Sequence, residues 1–208
     1  MRCLPLAMIV VACGGTQGPP PPATAPPTLE VGRGLRTVAD FDRISDREKR
    51  SRALFVEASR VLLHPRCVNC HPDGDTPHQG PTLIRHDPPV VRGPENQGVP
   101  GNECTTCHQD RNQELARVPG APNWHLAPIE MAWFGKSASY ICHQIQDPKR
   151  NGGKTLAQIA DHSAHDQLVA WAWAPGHGRE PAPGTQQQFG ALIAAWVETG
   201  ARCPEEQR

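Results

Sequence analysis

The sequence predicts a mainly α-helical fold in which a few short helices are joined by long loops rich in proline and glycine. Three observations predict it. Proline and glycine number 23 and 19 of 208 residues, which limits regular structure. Apolar residues recur at helical spacing in four windows, the clearest being Phe189, Leu192, Ile193 and Trp196. Finally, Cys67-Val68-Asn69-Cys70-His71 returns as Cys104-Thr105-Thr106-Cys107-His108. Both runs read C-x-x-C-H, the attachment pattern of c-type haem. An apolar macrocycle would supply the core that such a chain is short of.

The spacing follows from the chemistry. Two thiols one helical turn apart each form a thioether to a vinyl group of one porphyrin. The next residue, His71 or His108, then offers the iron its proximal imidazole. Zinc is the main rival, since two C-x-x-C knuckles can make a four-cysteine site. The knuckles begin 37 residues apart, wider than the usual ribbon spacing of about 15–20. Zinc also gives no reason for a histidine after each second cysteine. A thioredoxin-like redox pair lacks its βαβ setting.

From the N-terminus, residues 1–12 read as a signal peptide of lipoprotein type. Arg2 precedes the apolar run Leu4–Val11, which is too short to span a bilayer. Val10-Val11-Ala12-Cys13 resembles a bacterial lipoprotein box, which makes Cys13 the lipidation site and holds the protein on a membrane surface. Cleavage at Ala12 or Gly15 is the alternative. Either route leads out of the cytoplasm, to the periplasm or cell envelope. Residues 13–40 are expected to form the anchor and a proline-rich tether, with Pro19–Pro22 and Pro26-Pro27 as a semi-rigid spacer. Residues 41–208 form the domain that holds both motifs.

The first helix is expected from Asp46 to Leu63, opened by a Ser45/Glu48 capping box and ended at His64-Pro65. Residues 72–103 read as an ordered loop rather than strands. The second helix is expected from about Ser137, ending before Pro148 and the Asn151-Gly152-Gly153 turn. Thr155 to Trp173 is expected as two short helices broken near His162. The last helix begins at Thr185, with Gln188 completing a capping box, and Gly200 stops it.

Eight cysteines divide cleanly. Cys3 leaves with the signal, Cys13 takes the lipid, and Cys67, Cys70, Cys104 and Cys107 bind the two haems. Cys142 and Cys203 remain, and in an oxidising compartment they are expected to pair as a disulfide. Adjacent helical positions point about 100° apart, which weakens a shared metal role for Cys142 and His143.

Sixth ligands decide between carrier and enzyme. Met1 and Met8 lie in the signal, so Met131 is the only methionine left and at most one iron is His/Met. Met131 is assigned to the first haem and His165 to the second; His125, His64 and His162 remain alternatives, with His78 and His86 on the loop. Gly135-Lys136-Ser137 imitates the end of a phosphate-binding loop, but position 130 is Glu where that motif needs Gly. Lys+Arg and Asp+Glu both number 21, so no basic field favours nucleic acid.

Several runs carry a family resemblance. They are His64-Pro-Arg-Cys-Val-Asn-Cys-His-Pro, Cys104-Thr-Thr-Cys-His and Trp124-His-Leu-Ala-Pro, then Met131-Ala-Trp-Phe-Gly-Lys-Ser, His165-Asp-Gln-Leu-Val-Ala-Trp-Ala-Trp and Gly178-Arg-Glu-Pro-Ala-Pro-Gly-Thr. Over about Asp46 to Cys203 the chain resembles small bacterial dihaem cytochromes c, often labelled subunits of isoquinoline 1-oxidoreductase-type molybdenum hydroxylases. The resemblance implies a cytochrome c-like dihaem domain that passes electrons from a dehydrogenase toward the respiratory chain. A small dihaem peroxidase with one open iron is the alternative class, and a zinc-stabilised binding module is a third.

Overall fold

The computed structural model describes residues 34–176 and 178–206. The expected signal peptide, Cys13 and the proline runs of the tether lie outside the described residues. The fold is mainly helical, as expected, and its frame is built from four helices: α1 (Arg47–Leu62), α4 (Ala138–Gln146), α5 (Leu156–His165) and α7 (Gln186–Glu198). Short helices α2 (Pro65–Val68), α3 (Cys104–Cys107) and α6 (Gln167–Ala170) punctuate the loops between them. No helix of the described residues is long and apolar enough to cross a membrane.

Packing begins before the boundary expected at residue 41. Leu35 and Phe41 are buried in the core, and Arg36 pairs with Glu57 of α1 at 2.7 Å. Leu35 and the Arg36–Glu57 pair therefore join residues just before that boundary to the core.

α1 starts one residue later than its expected cap. Asp46, not Ser45, accepts from the Lys49 amide at 3.0 Å. A carboxylate there also suits the positive end of the helix dipole. Leu54, Phe55, Ala58, Val61 and Leu62 recur at helical spacing and are all buried. Each such large side chain contributes about 1.5–3 kcal/mol when fully buried. Phe55 meets Trp196 of α7 at 4.9 Å between ring centres. Ser51 fastens the far end, donating to the Trp196 carbonyl and accepting from the Arg202 amide.

α4 and α7 open as expected. Ser137 accepts from the Tyr140 amide, and Thr185 with Gln188 forms the reciprocal box. Gly200 follows α7 at φ +107°, a conformation that L side chains rarely adopt. Cys142 in α4 and Cys203 beyond α7 form the disulfide. The 155–173 segment breaks after His165, not near His162. Asp166 takes the amides of Leu168 and Val169, so α6 starts there under its own cap.

Residues 72–103 hold two hairpins where an ordered loop without strands was expected. β1 (His78–Gln79) pairs antiparallel with β2 (Ile84–Arg85), and β3 (Gly98–Val99) with β4 (Asn102–Glu103). Arg92 binds the region together. Its buried guanidinium donates to Asn96 Oδ1, the Gly74 carbonyl and the Ala127 carbonyl. Three carbonyl-bearing loops thus converge on one charge.

Candidate functional site

The two C-x-x-C-H runs lie on short helices that begin differently. His64 caps α2, its Nδ1 accepting from the Arg66 amide, and Pro65 takes the first helical position, where a missing N–H costs nothing. α3 opens at Glu103 with no side-chain cap. The turn continues past Cys67, since the amides of Cys70 and His71 donate to the carbonyls of Cys67 and Val68. Cys67 and Cys70 are shielded, and burial pushes their thiols up to about 12 and about 11. α3 buries none of its residues, so the second motif lies nearer the surface.

Both motif histidines are held in the same way. His71 Nδ1 lies 2.8 Å from the Met131 carbonyl, and His108 Nδ1 lies 2.8 Å from the Pro119 carbonyl. A carbonyl only accepts, so each Nδ1 carries the proton and each Nε2 keeps its lone pair. Burial lowers the pKa of both rings, that of His71 to about 4, which keeps them neutral. Each ring also lies flat on a tryptophan: His71 on Trp133 at 3.5 Å and 5°, His108 on Trp124 at 4.5 Å and 9°. The Trp133 and Phe134 amides donate to the His71 carbonyl, which completes the clamp.

The carbonyl clamps depend on close backbone approaches. A Cβ on Gly120 would stand 2.3 Å from the carbonyl oxygens of Gln109 and Arg111, so only glycine lets the chain bring Pro119 to His108. Asn112 steadies this turn. Its Oδ1 accepts from the Gly120 amide and from Trp171 Nε1, and its Nδ2 donates to the Ala174 carbonyl. Pro119, Gly120 and the Met131 carbonyl act through the backbone, and the side-chain pattern carried no sign of them.

A cavity opens beside the first motif. Cys67, Cys70 and His71 form one wall, while Leu62, Ile159, Leu168, Val169, Phe189 and Ile193 make it apolar. Arg66 and Lys154 bring positive charge to it. Arg66 is buried and spends its Nε on the Glu180 carbonyl rather than on a carboxylate. His162, His125 and Met131 also line this space. An apolar cradle with two thiols and a neutral imidazole on one wall fits a covalently attached porphyrin. Among the described residues, no three His, Cys, Asp or Glu side chains gather closely enough to cage a bare metal ion.

The expected distal ligands fall differently. Met131 gives its carbonyl to His71 Nδ1, so its backbone stands on the side of that ring away from Nε2. Met131 itself lines the cavity. His165 is not among the cavity-lining residues; its side chain is 74% exposed and its Nδ1 lies 2.8 Å from Asp161. His162, one turn earlier on α5, lines the cavity, with Nδ1 3.3 Å from Asp166. His125 reaches the cavity too, its Nδ1 on the Asn123 carbonyl. His64 is occupied as the α2 cap. Compared with protein-family models, curated proteins and solved structures, the chain matches none.

Proposed function

We propose that the protein is an exported dihaem c-type cytochrome that carries electrons. Cys67 and Cys70 would bind the first haem and Cys104 and Cys107 the second, with His71 and His108 as proximal ligands. The observation that carries this reading is the matched pair of clamps. Each motif histidine has Nδ1 on a backbone carbonyl at 2.8 Å and a tryptophan under its ring, which leaves Nε2 free to coordinate. A carbonyl bonded to the far ring nitrogen fixes the tautomer and raises the basicity of a metal-bound imidazole.

When bound, the haem supplies one-electron chemistry at iron. The chain does the rest. The apolar cavity wall excludes water from the first site, and Arg66 and Lys154 suit the negative charge of porphyrin propionates. His162, with Nδ1 3.3 Å from Asp166, is a cavity imidazole that would serve as the first iron's sixth ligand. Six-coordinate irons suit a carrier rather than a peroxidase. The resemblance to dihaem cytochromes associated with molybdenum hydroxylases makes a dehydrogenase the donor and a respiratory component the acceptor. Cys13 would hold the domain on the membrane by a lipid.

Spectroelectrochemical titration of the matured protein tests this. The expected result is two reversible one-electron haem transitions, with no peroxide turnover by either oxidation state. Rapid peroxide consumption would replace the carrier with an enzyme.

A further inference from the structure

The second motif has a second histidine beside it, His86 of the 72–103 segment. His86 follows β2, and its ring centre lies 5.8 Å from that of His108, with the two planes 70° apart. We propose that His86 is the second axial imidazole of the second haem, so that this iron is held between His86 and His108. The inference rests on the dihaem reading above and names the ligand that reading leaves open.

The spacing carries the first part of the argument. Metal–imidazole bonds of about 2.0 Å, with roughly 1.1 Å more from each nitrogen to its ring centre, put two trans imidazole centres about 6 Å apart. The observed separation is within a few tenths of an ångström of that. Trans imidazoles turn freely about the axis they share, so a 70° angle between planes is compatible with ligation.

Tautomers carry the second part. His86 Nδ1 lies 2.8 Å from the Pro88 carbonyl, just as His108 Nδ1 lies 2.8 Å from that of Pro119. Each Nδ1 therefore donates to a carbonyl, and the Nε2 of a neutral ring keeps its lone pair. Neither Nε2 has a hydrogen-bond partner among the described residues. Two neighbouring acceptors gain nothing from each other, whereas a metal between them would accept both lone pairs. An edge-to-face packing contact would be stronger if one ring turned an N–H toward the other.

The backbone holds His86 in place. Its amide donates to the Pro77 carbonyl at 3.0 Å, and Arg85 pairs with His78 across the hairpin. The same hairpin is fastened to the first motif: the His78 amide donates to the Asn69 carbonyl, and Asn69 Nδ2 donates to the Gly80 carbonyl. A ligand of the second iron would thus grow from a hairpin bonded to Asn69, between Cys67 and Cys70. Ligation at the second haem would brace the first.

The test is ferric-state electron paramagnetic resonance and cyanide titration of the full-length, haem-matured protein, with haem content fixed by mass. Wild type should show two low-spin haems. His86→Ala should turn one of the two high-spin, make that one bind cyanide, and return to low spin on adding imidazole. His86→Met should stay low-spin and gain a methionine–iron charge-transfer band, which reads the same ligand in a variant that keeps the site filled. His165→Ala should change neither haem. Two unaltered low-spin haems in His86→Ala, or an opened iron in His165→Ala, would overturn the inference while leaving the cytochrome intact. A protein that matures without haem would defeat the proposed function itself.

Discussion

The sharpest structural prediction concerns Gly190, buried in the middle of α7 where glycine is a poor helix former. α5 passes it so closely that a Cβ there would stand 2.5 Å from Ala164 Cβ and 2.7 Å from Ala164 Cα. Carbon atoms prefer about 3.5–4.0 Å, so Gly190→Ala must push the helices apart by about 1 Å. Overpacking of this kind costs about 1–3 kcal/mol. The upper half applies, because Ala164 Cα is backbone and cannot rotate away. Helix propensity returns about 1 kcal/mol. The net is a loss of about 1–2 kcal/mol, or roughly 2–8 °C in Tm for a chain of this size. Urea unfolding followed by circular dichroism measures it, and adding Ala164→Gly should recover part of the loss by removing the nearest clash. A Gly190→Ala protein as stable as wild type, or more stable by the propensity gain, would refute the close crossing of α5 and α7.

Other consequences follow from the same geometry. Replacing Cys142 and Cys203 by serine opens a cross-link spanning 61 residues and should cost about 4 kcal/mol on chain-entropy grounds; an unchanged unfolding midpoint in urea would mean the staple is idle. Burial raises the Glu57 carboxyl, but bonds from Arg36 and Arg60 outweigh it and hold the pKa below its ordinary value. The folded value is the lower one, so the stabilisation is present above about pH 4.3 and is lost as the pH falls through the folded value. Glu57→Gln should therefore lower stability at neutral pH and flatten the acid limb of the stability curve, and an acid limb identical to wild type would remove Glu57 from the account. His162→Ala should open the iron over His71 to cyanide; if Met131→Ala opens it instead, the thioether holds the sixth position.

Much of the frame was legible because it rests on side-chain periodicity and local caps. The Phe189, Leu192, Ile193 and Trp196 stripe, the Thr185/Gln188 box and the pairing of Cys142 with Cys203 all lie where the sequence puts them. The hairpins of 72–103 were not legible, since two-residue strands are too short to show alternation. Arg92 was equally hidden: its role is to gather carbonyls, and carbonyls belong to every residue. His162 and His165 lie three residues apart on one helix, too close for spacing to separate them. Burial of Ile159 and Ser163 turns the neighbouring His162 to the cavity and leaves His165 outside. Asp166 was readable as a cap in principle, since a carboxylate before Leu168-Val169 is a helix-start signal, and it moves the break away from His162.

Thioether-bound haem survives denaturation and zinc does not, so the intact mass of the denatured, matured protein distinguishes them. The expected mass is the processed polypeptide plus two haems, falling to one haem when Cys67 and Cys70 or Cys104 and Cys107 are replaced by serine. A bare polypeptide mass from cells with a working maturation system would contradict it.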